Sequence, residues 1–241
     1  MVSWLALTGN VAAPGGATGS AGPGVRIKIC GLTRPEETEA INRALPDFVG
    51  FVFAADSRRR VTPQRAAALR ALIAPEVVTV GVFRDAPAEG IAELVERGVI
   101  GAVQLHGHES AEAIFRLRQL VAAPVVKAVS VHGLASVTVP TPADPTRATD
   151  PAFPADWLLF DHGPGGTGRS FDLALIDRAR QARSLPAKPF FIAGGVGLGN
   201  LAEVLRRRPD GVDVSSGAES DGAKDPDKVR RLVELVRGIP A

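Results

Sequence analysis

The residues that can do chemistry in this chain are few, and they recur at the ends of apolar runs. The only cysteine in 241 residues, Cys30, closes the alternating run Val25–Cys30 and is followed at once by Gly31. Downstream, Asp56-Ser57-Arg58-Arg59-Arg60, Gln104-Leu105-His106-Gly107 and Asp161-His162-Gly163 each follow or end a β-type run. So do Gly194-Gly195 and Ser215-Ser216-Gly217. A thiol and a carboxyl can divide base and acid work between them. A guanidinium such as that of Arg59 matches a carboxylate, although a member of an arginine triplet is equally read as a solvated charge. Glycine- and serine-rich turns offer backbone N–H groups to a phosphate. A lone cysteine also serves as a small buried hydrophobe, so Cys30 needs its context.

The elements that must carry these residues alternate in type. Strand candidates are 25–30, 47–53, 77–83, 101–105, 125–129, 157–161, 190–193 and 211–214. Helical patterns fill most of the intervals: 35–44, 63–72, 87–97, 110–121, 172–183, 198–207 and 226–236. Several open on proline or an acidic residue, a helix-start signal, and Thr33 is placed to cap the first of them. Apolar strands alternating with helices predict parallel βαβ units, and eight of them predict a single α/β domain, a (β/α)8 barrel, closed rather than doubly wound. In such a barrel chemistry sits at the carboxyl ends of the strands, and the turns after strands seven and eight often bind phosphate. That places Gly194, Gly195, Ser215, Ser216 and Gly217 at a phosphate. The connection 132–154 contains prolines 140, 142, 145, 151 and 154, which forbid a regular helix, so the fifth helix is expected to be degenerate. The glycine-rich stretch after Asp161 reads as a lid.

Residues 1–24 hold no charged side chain and are dominated by Gly, Ala, Ser and Pro from Thr8 onward. They read as a flexible leader, with 25–241 as the catalytic barrel. Net charge is +2 and there is no tyrosine, so basic residues are not interleaved with stacking aromatics, which argues against nucleic-acid binding. Arg206, Arg207 and Arg208 fall late in a helix, where cations complement its dipole. No apolar run approaches the ~18 residues of a membrane span. One cysteine forms no intrachain disulfide, which suits a reducing cytoplasm. His106 and His108 alternate, but no recognisable metal-ligand spacing emerges, so no metal is expected.

In this setting KICGLTRPEE (28–37), GFVF with SRRRVTP (50–63), VGVF (80–83) and VQLHGHE (103–109) resemble phosphoribosylanthranilate isomerases. So do LLFD with GGTGRSFD (158–172), IAGGVGLGN (192–200) and GVDVSSGAES with GAKDPDKV (211–229). The resemblance runs in order from Val25 to the end. It implies a cofactor-free Amadori rearrangement of N-(5-phosphoribosyl)anthranilate to 1-(2-carboxyphenylamino)-1-deoxyribulose 5-phosphate in tryptophan biosynthesis. It puts the general base on Cys30, the general acid on Asp161 and the anthranilate-carboxylate anchor on Arg59. Gln104 and His106, in the motif at the fourth strand, are expected to bind the substrate, and the turns at 194–195 and 215–217 to hold its phosphate. The partner is then a small phosphorylated anthranilate, and the assembly a monomer or homodimer. A cysteine base needs its thiolate, which Lys28 on the same strand face is expected to favour. The histidine-pathway aldose–ketose isomerase is the nearest alternative, but it resembles this chain with an aspartate in place of Cys30. A silent phosphate-ligand binder would need neither Cys30 nor Asp161.

Overall fold

In a computed structural model, eight parallel strands close into one barrel in the order in which they occur. The structure describes residues 24–130, 153–161, 173–181, 185 and 188–238. Most of the leader, the connection 131–152 and the loop 162–172 after Asp161 lie outside the described residues. The strands are β1 (Arg26–Cys30), β2 (Phe48–Val52), β3 (Val78–Phe83), β4 (Ala102–Leu105), β5 (Val125–Ser130), β6 (Trp157–Asp161), β7 (Phe190–Ile192) and β8 (Gly211–Val214). Helices α1 (Glu36–Ala44), α2 (Pro63–Arg70), α3 (Ala88–Glu96), α4 (Ala111–Leu120), α5 (Ala174–Gln181) and α6 (Leu201–Leu205) return the chain between them. A two-stranded ribbon, β9 (Glu219–Ser220) and β10 (Ala223–Lys224), precedes the last helix, α7 (Pro226–Arg237). No helix among the described residues is long and apolar enough to cross a membrane.

The alternation in β1 has a direct physical outcome. Ile27 and Ile29 are fully buried in the layer between strands and helices. Arg26, Lys28 and Cys30 occupy the other face, toward the barrel interior. That interior is filled by Phe48, Val80, Val126, Leu159 and Phe191 from different strands, so it is a packed core and not a pore. β1 pairs with β8 from Arg26↔Gly211 to Ile29↔Val214, which seals the barrel and puts Lys28 level with Asp213.

The amino-terminal rim is tied in strand pairs. Asp47, just before β2, accepts from Ile27 N of β1 at 2.9 Å. Asp156, before β6, accepts from Val125 N of β5 at 2.8 Å, and Asp210, before β8, from Phe190 N of β7 at 2.9 Å. In the β3–β4 pair the sense is reversed, with Thr79 Oγ1 donating to Val99 O at 3.0 Å. Each tie satisfies a backbone group at the strand start that would otherwise be an orphan.

Side-chain caps open three helices, while α1, α3 and α6 start without one. Thr62, Ser110 and Asp225 cap α2, α4 and α7 through their side chains. Thr33 does not cap α1. Instead Glu37 Oε2, from inside the first turn, accepts from the N–H groups of Thr33 and Arg34 at 2.7 and 2.9 Å. The carboxylate thereby ties the two residues ahead of the Pro35 N-cap position to the first turn of α1. α6 is shorter than the pattern 198–207, because Asn200 is spent on the preceding turn: its Oδ1 accepts from Gly197 N and its Nδ2 donates to Gly195 O.

Candidate active site

A cavity of about 340 Å3 opens at the carboxyl ends of the strands. Cys30, Arg59, Gln104, His106, Asp161, Gly194, Gly195, Ser215 and Ser216 all line it. Gly217 stands behind this wall and bridges Gly197, locking the turn after β8 against the turn after β7. Gly194 and Gly195 take φ of 82° and 71°, so their amides are presented in a conformation few other residues adopt. Ser215 Oγ donates to the carbonyl of Cys30 at 3.1 Å, joining the phosphate-type turn to the end of β1.

Below Cys30 lies a buried ion pair. Lys28 Nζ is 2.8 Å from Asp213 Oδ2, and both side chains are about 95% shielded. Burial alone would lower the Lys28 ammonium, but Asp213 and Cys30 together outweigh it and hold the charge. Asp213 Oδ1 has no hydrogen-bond partner among the described residues. The expected promotion of the Cys30 thiolate does not result. Burial pushes the thiol up, Lys28 and Lys224 oppose that, and Asp213 adds to it. Lys28 is paired, so the sulfur meets a dipole instead of a free cation.

On the opposite wall, His106 Nε2 lies 3.2 Å from Asp161 Oδ2, and its Nδ1 lies 3.0 Å from Gln104 Nε2. The β4 turn that carries His106 is itself clamped. Glu109 accepts from Gly107 N and Asp85 N and pairs with the buried Lys127 at 2.8 Å.

Arg59 comes from the loop after β2 and packs over Gly31. Gly31 has φ 88°, and a Cβ there would run into Arg59 Cδ, so the residue after the cysteine must be glycine. The guanidinium is held by Glu219, a residue the sequence reading did not single out. Arg84, also unforeseen, pairs at the cavity wall with Asp56 of the run after β2. Asp213 had a signal in the sequence, an inward charge on a strand beside the inward Lys28. Glu219 had none.

A closed (β/α)8 barrel that gathers a thiol, a carboxyl and glycine turns at its strand ends defines a barrel enzyme. Residues 27–235 match the family model described as N-(5'-phosphoribosyl)anthranilate (PRA) isomerase. The isomerase of Desulforudis audaxviator is 40% identical over 88% of this chain and 97% of its own. The crystal structure of the Thermus thermophilus isomerase superposes with a TM-score of 0.74 at 33% identity, covering 89% of this chain and 99% of that one. Another, solved in complex with reduced 1-(o-carboxyphenylamino)-1-deoxyribulose 5-phosphate, gives 0.70 at 31% identity over 89% of this chain and 100% of that one. The chain therefore belongs to the phosphoribosylanthranilate isomerase family, isomerases of tryptophan biosynthesis.

Proposed function

We propose that Cys30 is the general base and Asp161 the general acid of this isomerisation. The substrate's C1′–O4′ bond breaks as Asp161 delivers a proton to the ring oxygen, and the anthranilate nitrogen forms a C1′=N bond. The Cys30 thiolate then takes the C2′ proton. The electron pair left on C2′ forms C1′=C2′ and returns the nitrogen to neutrality. Ketonisation of this enol adds a proton at C1′ and releases one from the 2′-hydroxyl, giving the aminodeoxyribulose phosphate. No redox partner is consumed, because C1′ is reduced by the same two electrons that oxidise C2′.

The observation that carries this reading is that Cys30 of β1 and Asp161 of β6 line one cavity together with both phosphate-type turns. Arg59 anchors the anthranilate carboxylate, and the amides of Gly194, Gly195 and Ser216 hold the phosphate, with Gly217 locking the turn behind them. His106, steadied by Gln104, orients the Asp161 carboxyl. The Lys28 and Lys224 ammonium groups favour the sulfur anion against its burial, which keeps a reactive fraction of thiolate available. The partner is the phosphorylated anthranilate alone, bound by a monomer or homodimer in the cytoplasm, with 25–241 as the catalytic barrel and 1–24 as a leader.

Loss of anthranilate fluorescence on addition of fresh phosphoribosylanthranilate tests the assignment. The parent should turn over, while Cys30→Ala and Asp161→Asn should each lose on the order of a hundredfold or more in kcat and still bind a product analogue. Variants that retain activity would remove the two residues from their roles. A parent that binds the analogue without turnover would make the chain a binder.

A further inference from the structure

Arg59 is used along one edge only. Its Nε donates to Glu219 Oε1 at 2.7 Å and its Nη2 to Glu219 Oε2 at 2.9 Å. This side-on, two-bond pairing fixes the plane of the guanidinium as well as its place. The terminal Nη1–Nη2 edge has no carboxylate partner among the described residues, and the side chain lines the cavity.

Glu219 is itself fixed from behind. Lys224 Nζ, fully shielded, donates to Glu219 Oε1 at 2.7 Å and to Ser215 O at 3.1 Å. The Lys224 backbone N–H donates to Glu37 Oε1 at 2.9 Å. The β9–β10 ribbon is thereby tied to the phosphate-type turn on one side and to α1 on the other. Arg59, Arg58 at 3.7 Å and Lys224 share this single carboxylate, so the local balance stays positive and Arg59 remains attractive to a second anion. An arginine free to rotate would lose rotamer freedom on each binding event, and Glu219 removes that cost beforehand.

We propose that Glu219 is a positioning and specificity-determining residue: by occupying the Nε–Nη2 edge of Arg59 it presents the terminal edge to the substrate's carboxylate. The proposal rests on the reading that Arg59 anchors that carboxylate. It assigns to the ribbon after β8 a share in recognising the aromatic end of the substrate, beside the phosphate end that the same segment already faces.

The test is a comparison of two ligands across a small set of variants. The ligands are reduced 1-(o-carboxyphenylamino)-1-deoxyribulose 5-phosphate and its counterpart lacking the carboxylate. In the parent the carboxylate should strengthen binding. Glu219→Gln should weaken the carboxylated ligand about tenfold, the size of a misaligned bond to a charged group, and leave the other within about twofold. Glu219→Asp, which keeps the charge on a shorter arm, is the second variant and should show the same selective loss. Arg59→Ala should abolish the preference for the carboxylate, and adding Glu219→Gln to it should cost nothing further, because the two act through one contact.

Equal weakening of both ligands by the Glu219 variants, or a double variant weaker than Arg59→Ala, would overturn the proposal and leave Glu219 a support of the phosphate turn. Unchanged binding in both Glu219 variants, with Arg59→Ala still losing the preference for the carboxylate, would overturn the proposal alone. An Arg59→Ala variant that keeps that preference would overturn the Arg59 reading, and this one with it.

Discussion

His106 Nε2 faces Asp161 Oδ2 across 3.2 Å while Nδ1 of the same ring faces the amide nitrogen of Gln104. With the Gln104 amide as donor, Nδ1 accepts, and Nε2 carries the hydrogen directed at the carboxyl. His106→Asn should therefore lower kcat about tenfold with a smaller change in KM, the loss expected of one hydrogen bond to a charged group. Adding it to Asp161→Asn should do little more. Steady-state fluorescence assays of the two single variants and the double variant read this directly.

Cys30 gives a pH prediction with a definite sign. Burial raises the thiol above its ordinary range, so at neutral pH most of the enzyme holds the unreactive protonated form. A base that must be deprotonated then makes kcat/KM climb with pH, about tenfold per unit below its pKa, and the climb should persist beyond the ordinary thiol value of about 8.5. The alkylation rate of this single thiol by iodoacetamide should follow the same curve. Lys28→Met should move its midpoint higher, because it removes the nearest favourable charge.

The rim ties give a stability prediction separated from activity. Asp47→Ala, Asp156→Ala and Asp210→Ala each leave a strand-start N–H without its acceptor, at a cost of about 1–3 kcal/mol. The ties lie on different strand pairs, so two substitutions should add. Urea midpoints should fall for each variant while kcat at 25 °C stays near the parent's, since the proposed active site occupies the opposite rim.

Acid should weaken the Glu219 cluster within a narrow window. Burial pushes the Glu219 carboxyl up, but hydrogen bonds from Arg59 and Lys224 and their charges outweigh it and hold the group at about 2. A depressed carboxyl contributes stability that is complete above its unfolded value of about 4.3 and is lost as pH falls through about 2. Unfolding free energies of parent and Glu219→Gln should thus differ by on the order of 2 kcal/mol at pH 6 and converge toward pH 2. A difference independent of pH would show that the carboxylate charge plays no part.

The strands were legible in the sequence because each is a short apolar run closed by a glycine or polar turn, and Cys30 was locatable because Gly31 ends its strand. What was not legible depends on partners far away in the chain. Lys28 was rightly placed on the face of Cys30, but its partner Asp213 is 185 residues on, across the barrel seam. Burial is the main reason that the thiol rises instead of falling, and Asp213 adds to it while Lys28 opposes it. Arg59 was singled out by its motif, whereas Glu219, 160 residues later, carries no local signal. Thr33 fits the pattern of a helix cap, yet the N-cap position falls on Pro35, and Glu37 instead ties down the two residues ahead of it. The degenerate fifth helix expected over 132–154 lies outside the described residues up to 152, and the lid expected after Asp161 lies outside them over 162–172.

Gly31 follows Cys30 directly and lies under the Arg59 side chain. The cysteine sulfur and the resting place of the Arg59 side chain belong to consecutive residues, so one peptide unit acts as a ruler between them. In the proposed reaction that ruler measures from the carbon losing its proton to the acid on the aromatic ring. An isomer with its acid moved to the meta or para position would have the right charges and the wrong length.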